Sequence, residues 1–174
     1  HQFPGGKGDA RDEMVQILAR EVNNAKVGIE IKVFPGASLV KAKEQWRALE
    51  RGQIDIASFP LDYASGSVPQ FGATLMPGLV KNHDHALRIN KSPFMNDIKA
   101  LINKNGVIVL ADAWLAGAFG GKDKCILEPD DAKGLKVRSA GATFSEMWAG
   151  AGASIVSIPS NEVYNALQTG VANG

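Results

Sequence analysis

The stretch Gly134-Leu135-Lys136-Val137-Arg138-Ser139, followed by Thr143 to Ala149 and then by Ser154-Ile155-Val156-Ser157-Ile158, decides the fold. In the first piece apolar and charged residues alternate, so Leu135 and Val137 share one face of a strand and Lys136 and Arg138 the other. The second piece suits a helix and the third a strand. A strand, a helix and another strand in succession imply an α/β fold with a mainly parallel sheet. Arg138 then stands at the carboxyl end of its strand, where open α/β sheets place ligands. Its planar fork of donors suits a carboxylate, gripped by two parallel hydrogen bonds. The alternative is an edge-strand arginine that reaches solvent or pairs with Asp130 or Asp131.

Working outward, Asp9 to Asn24 reads as an amphipathic helix, with Met14, Ile17, Leu18 and Val22 inward and Asp9 capping it. Val27 to Phe34 alternates as a half-buried strand closed by Pro35-Gly36. Lys41 to Arg51 is helical and stops at Gly52, and Ile54 to Phe59 is a short strand. From Pro60 to Val80 there are too many glycines and prolines for a long regular element, so an irregular loop with apolar anchors is expected. Helices are expected at His85–Asn90 and Phe94–Asn105, the second with Ile98, Leu101 and Ile102 inward. Val107 to Ala111 is a continuous apolar run, the mark of a strand covered on both faces. Gly117, Gly120 and Gly121 signal a bend, Pro129 starts a short turn, and Ser160 is placed to cap a helix running to Thr169.

Two segments share a frame of aromatic, Ala-Leu and a terminal glycine: Trp46 to Asp55 and Tyr164 to Asn173. Either any helix packed on a sheet wants this pattern, or the chain holds two lobes of similar design that cross near Gly117–Gly121.

The composition excludes several function classes. With 174 residues, 19 Lys+Arg against 18 Asp+Glu and a net charge of +1, there is no basic surface of the kind nucleic acid requires. No apolar run approaches the roughly 20 residues of a membrane helix. The single cysteine, Cys125, forms no internal disulfide and, with no base beside it, reads as a half-buried, inert thiol. No metal site is expected: His83 and His85, at i and i+2, do not share a helix face. Nor is any nucleophile paired with a base and an orienting acid, and no Gly-x-Ser-x-Gly elbow is present. Gly5-Gly6-Lys7-Gly8 and Gly120-Gly121-Lys122-Asp123 lack the spacing of a phosphate loop. No cofactor is expected.

Gly134-Leu-Lys-Val-Arg138, Gly152-Ala-Ser154, Glu162-Val-Tyr164-Asn-Ala-Leu-Gln-Thr-Gly170 and, upstream, Leu49-Glu-Arg-Gly-Gln-Ile-Asp55 together resemble the extracytoplasmic solute-binding proteins of TRAP transporters, the DctP type. The resemblance runs through essentially the whole chain. It implies a periplasmic α/β protein of the two-lobed binding-protein kind, with mixed sheets flanked by helices, that closes on a small organic acid and delivers it to a membrane permease. By the same resemblance residues 1–116 form the first lobe, 117–124 the crossing and 125–174 part of the second lobe. The arginine that pairs with the substrate carboxylate in such proteins matches Arg138. Lys124 falls in the stretch that often adds a second positive group. Phe59, Pro60 and Tyr63 match the loop that contributes pocket residues from the first lobe; Trp114, Gly141, Thr143 and Ser160 complete the expected site.

The chain departs from the family where Leu39-Val40-Lys41 replaces Leu-Gly-Gly. Pro60 and Leu61 replace polar residues of sugar-acid binders, which favours a smaller or more apolar acid. The fold is expected to be incomplete at its C-terminus, with a signal peptide removed at the other end and self-association through surfaces left open. Two other functions compete: a ligand-sensing domain of a signalling receptor, and an enzyme on a similar scaffold, which the lack of any convergent catalytic set disfavours.

Overall fold

Alternation in Lys136–Ser139 produces strand β1, which pairs in parallel with β2 (Ser154–Ser157), Val137 opposite Ile155 and Arg138 opposite Val156. This pair, the βαβ crossover helix and the loops around them belong to a computed structural model that describes residues 1–174. In chain order the helices are α1 (Ala10–Ala25), α2 (Gln45–Glu50), α3 (His83–Ile89), α4 (Pro93–Lys104), α5 (Ala142–Gly150) and α6 (Val163–Thr169). Short 3-10 turns occupy Ala42–Glu44, Leu61–Ala64, Pro69–Leu75, Pro129–Ala132 and Ser160–Glu162. No helix is long and apolar enough to cross a membrane. Of the mixed sheets expected, this chain forms the one parallel pair.

The chain divides into two compact units, His1–Pro60 with Pro159–Glu162, and Leu61–Ile158 with Val163–Gly174. The segment expected as the lobe crossing, 117–124, lies inside the second unit.

In the first unit, Asp9 caps α1 by accepting from the Arg11 amide at 2.9 Å, and the Arg11 guanidinium bonds the same carboxyl, holding it below the ordinary aspartate range. Phe3, Ala19, Ala42, Trp46 and Ala48 are buried, and Trp46 stacks on Phe59 at 6.3 Å. The face of α1 expected inward is open instead: Met14, Ile17 and Leu18 are exposed, while Asp12 and Ala19 are buried. These residues supply no layer to cover it. The segments expected as strands at Val27–Phe34 and Ile54–Phe59 enter no strand ladder. A strand needs a ladder partner, and at Ile31 the Asn23 side chain takes that place, bonding both its N–H and its C=O.

In the second unit, α5 covers the sheet. Ala132, Val137 and Trp148 form the centre of its core, packed by Ile126, Leu135, Phe144, Met147, Ala151, Ala153 and Ile155. The βαβ motif was legible because this core obeys the alternation of β1. The edge of β1 not used by β2 is taken by the last residues: the Asn173 N–H donates to Lys136 C=O at 2.8 Å and the Arg138 N–H to Gly174 C=O at 2.6 Å. Helix α4 buries Ile98 and Ile102 as expected, leaves Leu101 half-buried, buries Met95 as well, and stops at Gly106 with φ of 78°. The run Val107–Ala111, expected as a doubly covered strand, enters no strand ladder, and Ile108 and Leu110 are exposed. An apolar run becomes a strand only when a neighbour pairs with it, and none does here. Cys125, expected half-buried, is exposed on the bend that follows Gly121.

The segment expected as an irregular loop folds into two 3-10 turns, Leu61–Ala64 and Pro69–Leu75, packed on each other, and the second also packs on α5. At their junction Asp62 is 1% exposed. Both of its carboxyl oxygens are shut off from water without a well-formed hydrogen bond. Burial pushes this carboxyl above the ordinary aspartate range, and the Ser65 hydroxyl opposes the shift only in part. Its carboxyl group fills the space that a side chain at Gly141 would occupy, and Gly72 borders it from the other side. Gly141 has φ of −166°, open to any residue, so its glycine is required by this close approach and not by its backbone.

Two outcomes follow from this junction. Gly141→Ala should destabilise the fold by about 1 to 3 kcal/mol through overpacking against Asp62, whereas Gly66→Ala, which meets open space, should stay within about 0.5 kcal/mol; denaturant unfolding of both variants compares them. Because the folded pKa of Asp62 is raised, its contribution to stability is complete below the unfolded value of about 3.9 and is lost as pH rises through the folded value. The stability of Asp62→Asn relative to wild type should therefore increase with pH across that window, and a difference that is flat or falls with pH refutes the assignment.

Candidate functional site

The candidate site is built on the carboxyl end of β1. Pairing with β2 on one side and with Gly174 on the other fixes the Arg138 backbone, and alternation turns its side chain away from the Val137 core. The half-buried guanidinium donates from Nε to the Ile158 C=O at 3.0 Å and from Nη2 to the Tyr63 hydroxyl at 2.9 Å. Both acceptors are neutral. The acidic residues weighed as its partners are engaged elsewhere: Asp130 with Lys133 at 2.9 Å and Asp131 with Lys124 at 3.7 Å. The edge-strand alternative therefore fails in its ion-pair form, and the remaining guanidinium N–H groups have no acceptor in the chain.

Around Arg138 the backbone is locked by hydroxyls. Buried Ser139 donates to Gly141 C=O at 2.9 Å, and the Ser145 hydroxyl donates to the same carbonyl at 2.8 Å and lies 3.0 Å from that of Ser139. Thr143 reaches Gly72 C=O at 3.4 Å, which ties α5 to the Pro69–Leu75 turn. Of the expected residues, Tyr63, Gly141 and Thr143 thus gather with Arg138 in the second unit. Tyr63 is a direct partner, Gly141 makes room for Asp62, and Thr143 is a tie between elements.

The other expected residues are placed differently. Lys124 is half exposed and pairs with Asp131, whose carboxyl is held below the ordinary range chiefly by the Leu127 and Glu128 amides. The Trp114 indole N–H donates to the Asn90 side chain at 2.7 Å, so its polar edge anchors the 107–116 segment on α3. Phe59 and Ser160 belong to the first unit, where Phe59 stacks on Trp46 and Ser160 opens a 3-10 turn. Asp62 was not anticipated. Its signal in the sequence is a lone carboxylate set between Leu61 and Tyr63 in a segment otherwise of apolar anchors and breakers. No cluster of three or more His, Cys, Asp or Glu side chains is placed to hold a metal ion. The geometry offers an oriented positive charge with no carboxylate of the chain beside it, which suits it to hold an anion.

Known proteins resemble this chain along nearly its whole length. A solute-binding protein of Albidiferax ferrireducens is 38% identical over 98% of this chain and 52% of its own. The C4-dicarboxylate-binding periplasmic protein DctP of Rhodobacter capsulatus is 28% identical over 98% of this chain and 50% of its own. A crystal structure of a TRAP periplasmic solute-binding protein from Rhodoferax ferrireducens with bound malonate superimposes with a TM-score of 0.94 at 37% identity, covering 99% of this chain and 56% of that one. The chain spans about half the length of the relatives it matches. Residues 7–174 match the DctP family, described as bacterial extracellular solute-binding protein, family 7, and the chain belongs to that family.

Proposed function

We propose that this chain is the ligand-gripping portion of a periplasmic TRAP solute-binding protein, which holds a small organic acid through Arg138 and delivers it to the membrane permease. The observation that carries the reading is the guanidinium of Arg138, oriented by the Tyr63 hydroxyl and the Ile158 carbonyl with no carboxylate of the chain beside it. Two neutral acceptors aim the fork and leave its charge to be met by a ligand. Malonate in the Rhodoferax ferrireducens structure and the dicarboxylate of the Rhodobacter capsulatus name support an acid of this class. Pro60 and Leu61 offer no hydrogen-bonding side chain to a polyol, which favours a short acid over a sugar acid.

In the whole protein we assign 1–116 to the first lobe, 117–124 to the crossing and 125–174 to the second lobe. By the family resemblance Phe59, Tyr63, Trp114, Thr143 and Ser160 are assigned to substrate binding with Arg138, and Gly141 to holding the chain around Arg138 in place. Lys124 is assigned a lesser role, because its ammonium already answers Asp131. Taken by itself, the 174-residue chain should self-associate through open apolar faces such as Val27, Ile29, Ile108 and Leu110, all more than half exposed. Light scattering should give a species larger than the monomer, and a monodisperse monomer that binds no apolar dye would contradict this.

Isothermal titration tests the binding reading. Removing one member of a desolvated charge pair costs on the order of 2 to 5 kcal/mol, so Arg138→Ala in the intact protein should weaken malonate binding by roughly 30-fold to several thousand-fold. Lys124→Ala should change it by less than about threefold, since an exposed pair contributes little. If Arg138→Ala binds within about threefold of wild type, the carboxylate is held elsewhere.

A further inference from the structure

Of the buried residues in the second unit, only Asp62 is an acid or a base. Its place there is unfavourable, because both carboxyl oxygens are shut off from water without a well-formed hydrogen bond. Neither of the glycines that enclose it is required by its own backbone: Gly141 is extended, and Gly72 has no left-handed φ. Yet a Cβ at Gly141 would overlap the carboxyl, and one at Gly72 would lie 3.2 Å from its Oδ1 and 2.8 Å from the Thr143 hydroxyl. The two glycines make a narrow slot, and the carboxyl fills it. A carboxyl is flat because its carbon is trigonal, whereas an apolar side chain of similar length branches at a tetrahedral carbon and does not lie between two backbones in this way.

The slot fixes the residue beside it. Asp62 belongs to the Leu61–Ala64 turn, which the Ser65 N–H closes by donating to the Asp62 C=O at 3.0 Å. Consecutive Cα atoms stand about 3.8 Å apart, so a displacement of Asp62 passes directly to Tyr63. The Tyr63 hydroxyl accepts from Arg138 Nη2 at 2.9 Å. A hydrogen bond ends near 3.5 Å, so roughly 0.6 Å of slack in the slot releases it. The other bond of the fork, from Nε to the Ile158 C=O, does not run through this turn. Without Tyr63 the guanidinium is held at Nε, and its Nη groups turn about the Nε–Cζ bond.

We infer that Asp62 is a positioning residue of the anion site: the flat volume of its carboxyl, seated between Gly72 and Gly141, holds Tyr63 against Arg138 Nη2 and so fixes the direction in which the fork is presented. The inference deepens, and rests on, the binding role proposed for Arg138. Its demand is on shape. The carboxyl itself touches no ligand and its charge is not used, so asparagine, with the same trigonal fork, serves in its place. Alanine leaves the slot empty, and Gly141→Ala fills it from the other side and expels the carboxyl.

Nitrogen-15 spectra of the arginine side chains in the intact protein read the fork without a ligand. In wild type the two Nη groups of Arg138 should be resolved, and in Tyr63→Phe rotation should merge them while the Nε signal, held by Ile158, stays in place. Asp62→Ala should merge them as Tyr63→Phe does, Asp62→Asn should restore the resolved pair, and Gly141→Ala gives a second route to the merged state should Asp62→Ala not fold. Nη groups that are merged in wild type or in Asp62→Asn, or that stay resolved in Asp62→Ala or Gly141→Ala, overturn the assignment. In malonate titrations Tyr63→Phe and Asp62→Ala should each weaken binding by about three- to tenfold. Their double variant should lie within about twofold of Tyr63→Phe alone, because both act through one hydrogen bond; losses that multiply overturn the positioning role. The expected spectra with no heat of malonate binding in wild type uphold that role and count against the carboxylate reading alone.

Discussion

A guanidinium aimed by neutral oxygens is the interaction on which the rest of this molecule depends. Tyr63 and Ile158 hold the Arg138 fork by hydrogen bonds that direct it without neutralising it. Had Asp130 or Asp131 faced it, the site would be a satisfied surface ion pair. Those acids are instead drawn to the turn at Pro129–Ala132, where Asp131 accepts from the Leu127 and Glu128 amides and Asp130 pairs with Lys133 three residues on. The capping chemistry of that short turn therefore does two things at once. It starts β1 in the right place, and it keeps the local acids away from the arginine at the other end of the strand.

The precision of the fork is set by packing and by hydroxyl ties. Val137 is locked into the core with Trp148 and Ala132, so the residue after it must face the opposite way. Ser139, buried and bonded to Gly141, stops the chain from fraying just past Arg138. Tyr63 arrives from a 3-10 turn whose position is fixed by Asp62 lodged against Gly141 and by the contact of Thr143 with Gly72. Glycines at 72 and 141 leave the room that this packing needs, since a Cβ at either would meet Asp62. They allow the turn that carries Tyr63 to approach α5 closely enough for the phenol to reach Nη2.

How much of this was legible in the sequence depended on whether the signal was local. The βαβ unit, α4 with its inward Ile98 and Ile102, and the glycine stops at 52 and 106 were readable, because alternation, helical period and left-handed glycine act within a few residues. The runs at Val27–Phe34 and Val107–Ala111 carry genuine strand composition, but a strand is made by its neighbour, and here no neighbour pairs with them. The apolar stripe of α1 was likewise real and is left open. Arg138 was found from its strand position, while Tyr63 came from the family resemblance. Asp62 was missed because nothing in a sequence distinguishes a carboxylate that meets water from one sealed by two glycines 10 and 79 positions away.

The contrast between Asp62 and Asp131 shows why burial matters more than composition at this site. Both are acids in short 3-10 turns, within reach of serine or backbone donors. Asp131 is solvated and accepts two amides, so its charge is favoured. Asp62 has lost its water and gained almost nothing in exchange, so its charge is resisted. A protein that only needed a spacer between its two turns would find an apolar residue less costly there. What the turn gains is position: with Asp62 lodged against Gly141, the next residue, Tyr63, reaches the Arg138 guanidinium.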